Sequence, residues 1–183
     1  SIYKLLSPDS LLKEFNPNDA NSLNREFYNE LLYILGLEEN KNGSKKTIVR
    51  ATRSQDGSFY ENIADKLSQR GKNSDFETII RLIIIWVNRI LFLKLLEGQI
   101  VKWNKNSDYK FLTIEKIVDF DALENLFFDV LAKKVVARKH KEFDYIPYLN
   151  SSLFEFSKIE EDFISLSNLS DDAAIEYYQK TVI

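Results

Sequence analysis

Leu23, Phe27, Leu31, Ile34 and Leu35 recur at the spacing of one helical face, and Gly36 follows them. This predicts an amphipathic helix over about 22–35, ended by a glycine suited to the left-handed conformation. Gly57 or Ser58 opens another helix through Leu67, which the polar RGKNS run closes. The longest element is DFETIIRLIIIWVNRILFLKLLEGQIVKW, Asp75 to Trp103. At 1.5 Å per residue it spans roughly 42 Å. Its first half is apolar on nearly every face, which predicts a central helix surrounded by others.

Shorter signals fill the rest of the chain. Ser7, Pro8 and Asp9 suit the start of a first helix. EENKNGSKK reads as a polar turn, and KTIVR and YKFLT as brief strands. Thr113 caps a turn of helix in IEKIV, and Asp119 or Asp121 caps ALENLFFDVLAKK. Ser157 and Glu160 have capping-box spacing, and Asp171 or Asp172 starts a last helix through Tyr178. The predicted class is mostly α, a helical bundle around one long central helix at about 75–103, with at most a few short strands. The expected divisions are a helix and linker over 1–22, a helical domain over 23–156 and C-terminal helices over 157–183.

Composition narrows the chemistry. The 183 residues suit one domain, or one with a small appendage, and 44% are apolar. Cysteine is absent, which excludes disulfides and thiolate metal sites, and His140 is the only histidine. Methionine is absent too, even at position 1, so the chain reads as a piece of a longer polypeptide. No signal peptide is visible, and the expected location is cytoplasmic. The one stretch resembling a membrane span, Ile79 to Ile100, contains Arg81, Asn88, Arg89, Lys94 and Glu97. Central charges cost about 2.5–3.5 kcal/mol each on insertion, so a buried helix is expected instead.

The net charge of -3 does not suit a strongly basic nucleic-acid domain. Two local basic runs remain, Lys41, Lys45, Lys46, Arg50 and Arg53, and Lys133, Lys134, Arg138, Lys139, His140 and Lys141. Each reads as a solvated face or as a set of phosphate contacts. Pro8-Asp9 with Glu39-Asn40-Lys41 spells a PD…ExK nuclease pattern, but a helix start and a polar turn are the wrong context for a Mg²⁺ site. Glu160-Glu161 and Asp171-Asp172 sit at helix starts, where acids complement the dipole. No dinucleotide, P-loop, nucleophile-elbow or HExxH motif occurs. Asn88-Arg89 breaks the apolar wall of the long helix. A buried arginine requires a partner, and Glu97 is too far along the same helix, so another element must supply it.

IPYLNSSLFE, Ile146 to Glu155, fits neither helix nor strand. Pro147 removes a donor and biases Ile146 toward extended backbone. Asn150, Ser151 and Ser152 can hydrogen-bond nearby backbone, while Tyr148, Leu149, Leu153 and Phe154 can anchor both flanks. The expected role is an anchored crossover, with Asn88, Arg89, Pro147, Asn150 and Phe154 as structural residues.

NREFYNELLYILGLEE (24–39), DGSFYENIADKL (56–67), WVNRILFLKLLEGQIV (86–101), FDALENLFFDVLAKK (120–134) and IPYLNSSLFE (146–155) occur in that order. Together they resemble the helical region of large single-chain type II restriction–modification enzymes of the type IIG kind. NRILFLKLLE and PYLNSSLFE are the most specific phrases. The resemblance implies a helical connector beside a nuclease domain and an adenine-N6 DNA methyltransferase domain on the same polypeptide. It implies double-stranded DNA as partner, and S-adenosylmethionine and Mg²⁺ as cofactors of the full-length enzyme, with neither cofactor held by this segment. The adenine motif of such methyltransferases, Asn/Asp-Pro-Pro-aromatic, is missing, because Pro8, Pro17 and Pro147 are isolated. No catalytic residue is therefore assigned. Lys133, Lys134, Arg138, Lys139, Lys141, Lys45, Lys46 and Arg50 are the expected DNA contacts. A stand-alone helical interaction module with no DNA role is the alternative.

Overall fold

The computed structural model describes residues 25–53 and 56–174. The helix expected from Ser7 lies outside the described residues, as does the end of the last helix beyond residue 174. In chain order the described elements begin with helix α1 (Arg25–Leu35) and strands β1 (Leu37–Asn42) and β2 (Lys45–Arg50). Helices α2 (Phe59–Gln69), α3 (Phe76–Asn104), α4 (Phe120–Asn125) and α5 (Lys158–Asp162) come next, with short 3₁₀ turns joining the later ones. A final helical turn occupies 171–174. The chain is mostly helical, and its sheet among the described residues is one antiparallel pair.

The long helix forms where its caps place it. Asp75 accepts from the Thr78 amide at 2.8 Å, and Lys105 closes the far end in the left-handed conformation at φ 51°. Ile79, Leu82, Ile83, Trp86, Leu93 and Ile100 form its buried stripe. That stripe shares one core with Phe59, Ile63 and Leu67 of α2 and with Phe127, Phe154, Ile164 and Leu166 from the second half of the chain, with Phe59 edge-on to Trp86. Ile164, Leu166 and Leu169 lie in the same core as Leu35, so the core continues across 156/157. The expectation of a fully surrounded helix is corrected on one face. Ile84, Leu91 and Leu95 are 52%, 43% and 72% exposed.

Two glycines set the start of the fold. Gly36, at φ 72°, ends α1 so close to α2 that a Cβ there would lie 2.3 Å from the Ser58 hydroxyl. Gly43, at φ 62°, and Ser44 form the two-residue loop between Asn42 and Lys45, where glycine first matches a type II′ hairpin turn. The EENKNGSKK segment is therefore a strand, a turn and the start of a second strand, and not a turn throughout.

YKFLT is no strand. Its Phe111 and Leu112 amides donate to the carboxylate of Glu97, at 2.7 and 2.6 Å, in place of a sheet neighbour. IEKIV makes a turn on Thr113. Asp119 caps α4 through the Ala122 amide at 2.7 Å. The helix continues through Leu126–Leu131 in π-helical winding, placing Phe127 and Phe128 beside α3. The C-terminal turns are stitched back by paired bonds. Asn62 exchanges two 2.9 Å hydrogen bonds with Ser170 backbone, and Glu124 accepts from both Ser167 groups at 2.9 Å.

Candidate functional site

The partner required by Arg89 is Glu160. Arg89 Nη1 reaches Glu160 Oε1 at 2.5 Å and Nη2 reaches Oε2 at 2.9 Å, with both side chains buried. The Trp86 indole donates to the same carboxylate at 2.7 Å. Ser157 donates to it through its amide at 2.9 Å and its hydroxyl at 2.8 Å, closing the capping box of α5. Arg89 also donates to the Leu153 carbonyl at 2.7 Å and the Glu155 carbonyl at 2.8 Å. Its guanidinium lies over Phe128 and Phe127, 5.0 and 5.6 Å from the ring centroids. Charge, donors and ring faces are all satisfied, which a buried pair needs to offset its desolvation.

Burial pushes the Glu160 carboxyl up, but Arg89, the Ser157 amide and the Trp86 indole outweigh it and hold it below the ordinary range. At Glu97 burial likewise raises, while Lys94 and the two loop amides prevail, leaving it low as well. Both therefore stay ionised as acceptors, which suits clamping backbone and not proton transfer. Glu160 is thus more than an acid complementing a helix dipole, the reading its sequence position suggested.

IPYLNSSLFE crosses directly above this pair. Phe154 is buried against Phe92 and Phe127, with centroids 5.6 and 6.1 Å away. Leu149 donates its amide to the Leu131 carbonyl at 2.9 Å, and the Ser151 hydroxyl accepts from Leu153 at 3.2 Å. Asn150 is exposed and, among the described residues, its side chain accepts from the Tyr148 hydroxyl alone, at 3.3 Å, so its structural assignment is corrected. Pro147 is exposed at the start of the crossover. Asn88, expected to share the role of Arg89, faces outward between Ile84 and Leu91.

The expected DNA contacts do not share one surface role. Arg138 is 3% exposed and donates to the Lys133, Phe143 and Ile146 carbonyls at 3.1, 3.0 and 2.7 Å. It organises its own loop and has no outward charge to offer. Lys133 pairs with Asp129 one helical turn back. Lys141 donates to the Val135 carbonyl at 3.3 Å. Lys134 and Lys139 are exposed, without an ion pair among the described residues. His140 lies 3.4 Å from Glu142.

On the hairpin, Arg50 grips Glu61 of α2 with two 2.7 Å bonds and lies over Tyr60, so it serves as a strut. Lys46 pairs with Glu39 at 3.1 Å. Lys45 is exposed on the face opposite Lys41 and Lys46, by the strand register. Of the PD…ExK pattern, Pro8-Asp9 lies outside the described residues, and Glu39-Asn40-Lys41 runs along β1. Among the described residues no three His, Asp or Glu side chains gather as a metal site, and no helix is long and apolar enough to cross a membrane.

These features define a small helical domain closed by one buried arginine–glutamate knot, with its polar groups committed to backbone. The chain belongs to the family described as Domain of unknown function (DUF7814), whose model matches residues 20–183. No curated protein and no solved structure matches it.

Proposed function

We propose that this domain is the helical connector of a restriction–modification enzyme acting on double-stranded DNA. It holds a nuclease and an adenine-N6 methyltransferase module in fixed relation and is not catalytic itself. The observation carrying this reading is the knot. Arg89, within NRILFLKLLE, grips the backbone of Leu153 and Glu155, within PYLNSSLFE. The two phrases on which the resemblance chiefly rests thus meet in one contact, as expected if they were retained together. A stiff 29-residue helix pinned at that point suits a spacer that sets distance between modules. Its outward Ile84–Leu91–Leu95 face suits a neighbouring module of the same polypeptide. S-adenosylmethionine and Mg²⁺ would belong to those modules.

The test is the reading frame around residues 1–183, followed by the encoded enzyme. A glycine-containing S-adenosylmethionine loop and an Asn/Asp-Pro-Pro-aromatic motif are expected downstream. In the intact enzyme, Arg89→Leu should scatter the cleavage distance while methylation of the target adenine persists. A flanking frame without either motif overturns the reading and leaves a stand-alone interaction module.

A further inference from the structure

We infer that the cleft between α1 and the β1–β2 hairpin binds phosphate groups. The cleft holds about 530 Å³ and is lined by Arg25, Tyr28, Asn29, Glu39, Lys41 and Lys46. That volume lies within the roughly 300–1,000 Å³ typical of ligand sites and exceeds the need of a single phosphate. Three cations and one carboxylate line it. Glu39 is already engaged, by Lys46 at 3.1 Å and by the Tyr28 hydroxyl at 3.3 Å. Arg25 and Lys41 are exposed and make no direct ion pair among the described residues, although Lys41 lies within electrostatic reach of Glu39. The opening thus keeps an excess of positive charge in a chain whose net charge is -3.

The placement of Lys41 and Lys46 is the telling feature. They sit directly opposite each other across the hairpin, in register, on one face. Like charges directly opposed disfavour the sheet, and the Lys46–Glu39 ion pair at 3.1 Å on the same face offsets this only in part. Lysines protect exposed strand edges from aggregation, but that purpose is served equally on either face. Here the cations converge on the side facing α1, and helical spacing sets Arg25, Tyr28 and Asn29 on the matching face of α1. An oxyanion with several acceptor oxygens would relieve the Lys41–Lys46 repulsion and bridge both walls. Linked phosphates fit the volume, either the backbone of a nucleic acid or a free polyphosphate. This inference does not rest on the connector reading, since the cleft would keep its ligand if the flanking motifs were missing.

The experiment uses the 183-residue chain with two probes, tripolyphosphate by calorimetry and a short duplex DNA by fluorescence anisotropy, at low and moderate salt. Wild type should bind at least one. The Arg25→Gln/Lys41→Gln double variant should weaken that binding about tenfold, and for DNA flatten the salt slope by about 2. Lys45→Gln, on the opposite face, should change it less than twofold. Melting temperatures should stay unchanged, since neither Arg25 nor Lys41 has a direct ion pair to lose, and Lys41→Gln alone should show a smaller loss of the same kind. Binding of tripolyphosphate alone assigns a free polyphosphate, and binding of duplex assigns a nucleic-acid backbone. Binding of neither probe overturns the inference. So does an unchanged double variant, or a Lys45→Gln loss as large as that of Lys41→Gln, which would mean diffuse attraction and no site.

Discussion

Of the arginine–glutamate pairs among the described residues, two share bidentate geometry and differ in almost everything else. Arg50–Glu61 is bidentate at 2.7 Å and lies at the surface, with 55% of the arginine side chain exposed. Arg89–Glu160 is equally short, but 2% and 0% of the two side chains reach solvent. Water weakens the first attraction and competes for both ends, so such pairs are worth about 0–1 kcal/mol. The second has no water to fall back on, and its partners would be stranded if separated. The buried pair therefore acts less as added stability than as a constraint. It permits one alignment of α3, the 146–155 crossover and α5.

That contrast ranks the perturbations. Arg89→Leu should cost most, about 3–5 kcal/mol by denaturant unfolding, because Glu160 is left charged and buried. Pairing it with Glu160→Leu should recover much of the loss. A double variant no better than the single one would mean that the guanidinium contacts to the Leu153 and Glu155 carbonyls dominate. Phe154→Ala should cost about 3–5 kcal/mol by the same measurement, through the cavity left between Phe92 and Phe127.

Acid comes next. Glu160 and Glu97 carry folded-state values below the ordinary carboxylate range. Their contribution is complete above the unfolded value, about 4.3, and is lost as pH falls through the depressed folded values. Melting temperature should thus drop steeply below about pH 4, and more gently in Glu97→Gln, which starts lower. Identical acid profiles would show that other carboxylates control the transition. Arg50→Gln should cost less than about 1 kcal/mol, and Asn150→Ala less than about 0.5 kcal/mol. A large Arg50→Gln effect would erase the distinction between the two pairs.

Legibility in the sequence tracks the range of the interactions. The long helix was legible because Asp75 and the apolar run act locally. The need for an Arg89 partner was legible from burial alone. Its identity was not, because Glu160 lies 71 residues away and its spacing from Ser157 already had a local explanation. YKFLT has strand composition, yet its amides go to Glu97 across a turn, an outcome no local propensity reports. LEENKN became a strand with little apolar alternation because most of the hairpin faces water. Arg138 sits among lysines and reads like them, and only its loop carbonyls distinguish it. The α1–hairpin cleft was half visible. Lys41 and Lys46 stood in a basic run, but Arg25 and Tyr28 join them only through the turn at Gly36.

The π-helical winding at Leu126–Leu131 has a consequence for how this chain tolerates length changes. Such a turn accommodates one residue more than an α-helix would over the same span. Removing one residue there would let the segment rewind as ordinary helix with the residues C-terminal to it kept in phase. The same deletion inside α3 would rotate everything beyond it by about 100°. The wide turn thus absorbs a surplus residue, so this stretch should accept a one-residue deletion more readily than an ordinary turn of α3 would.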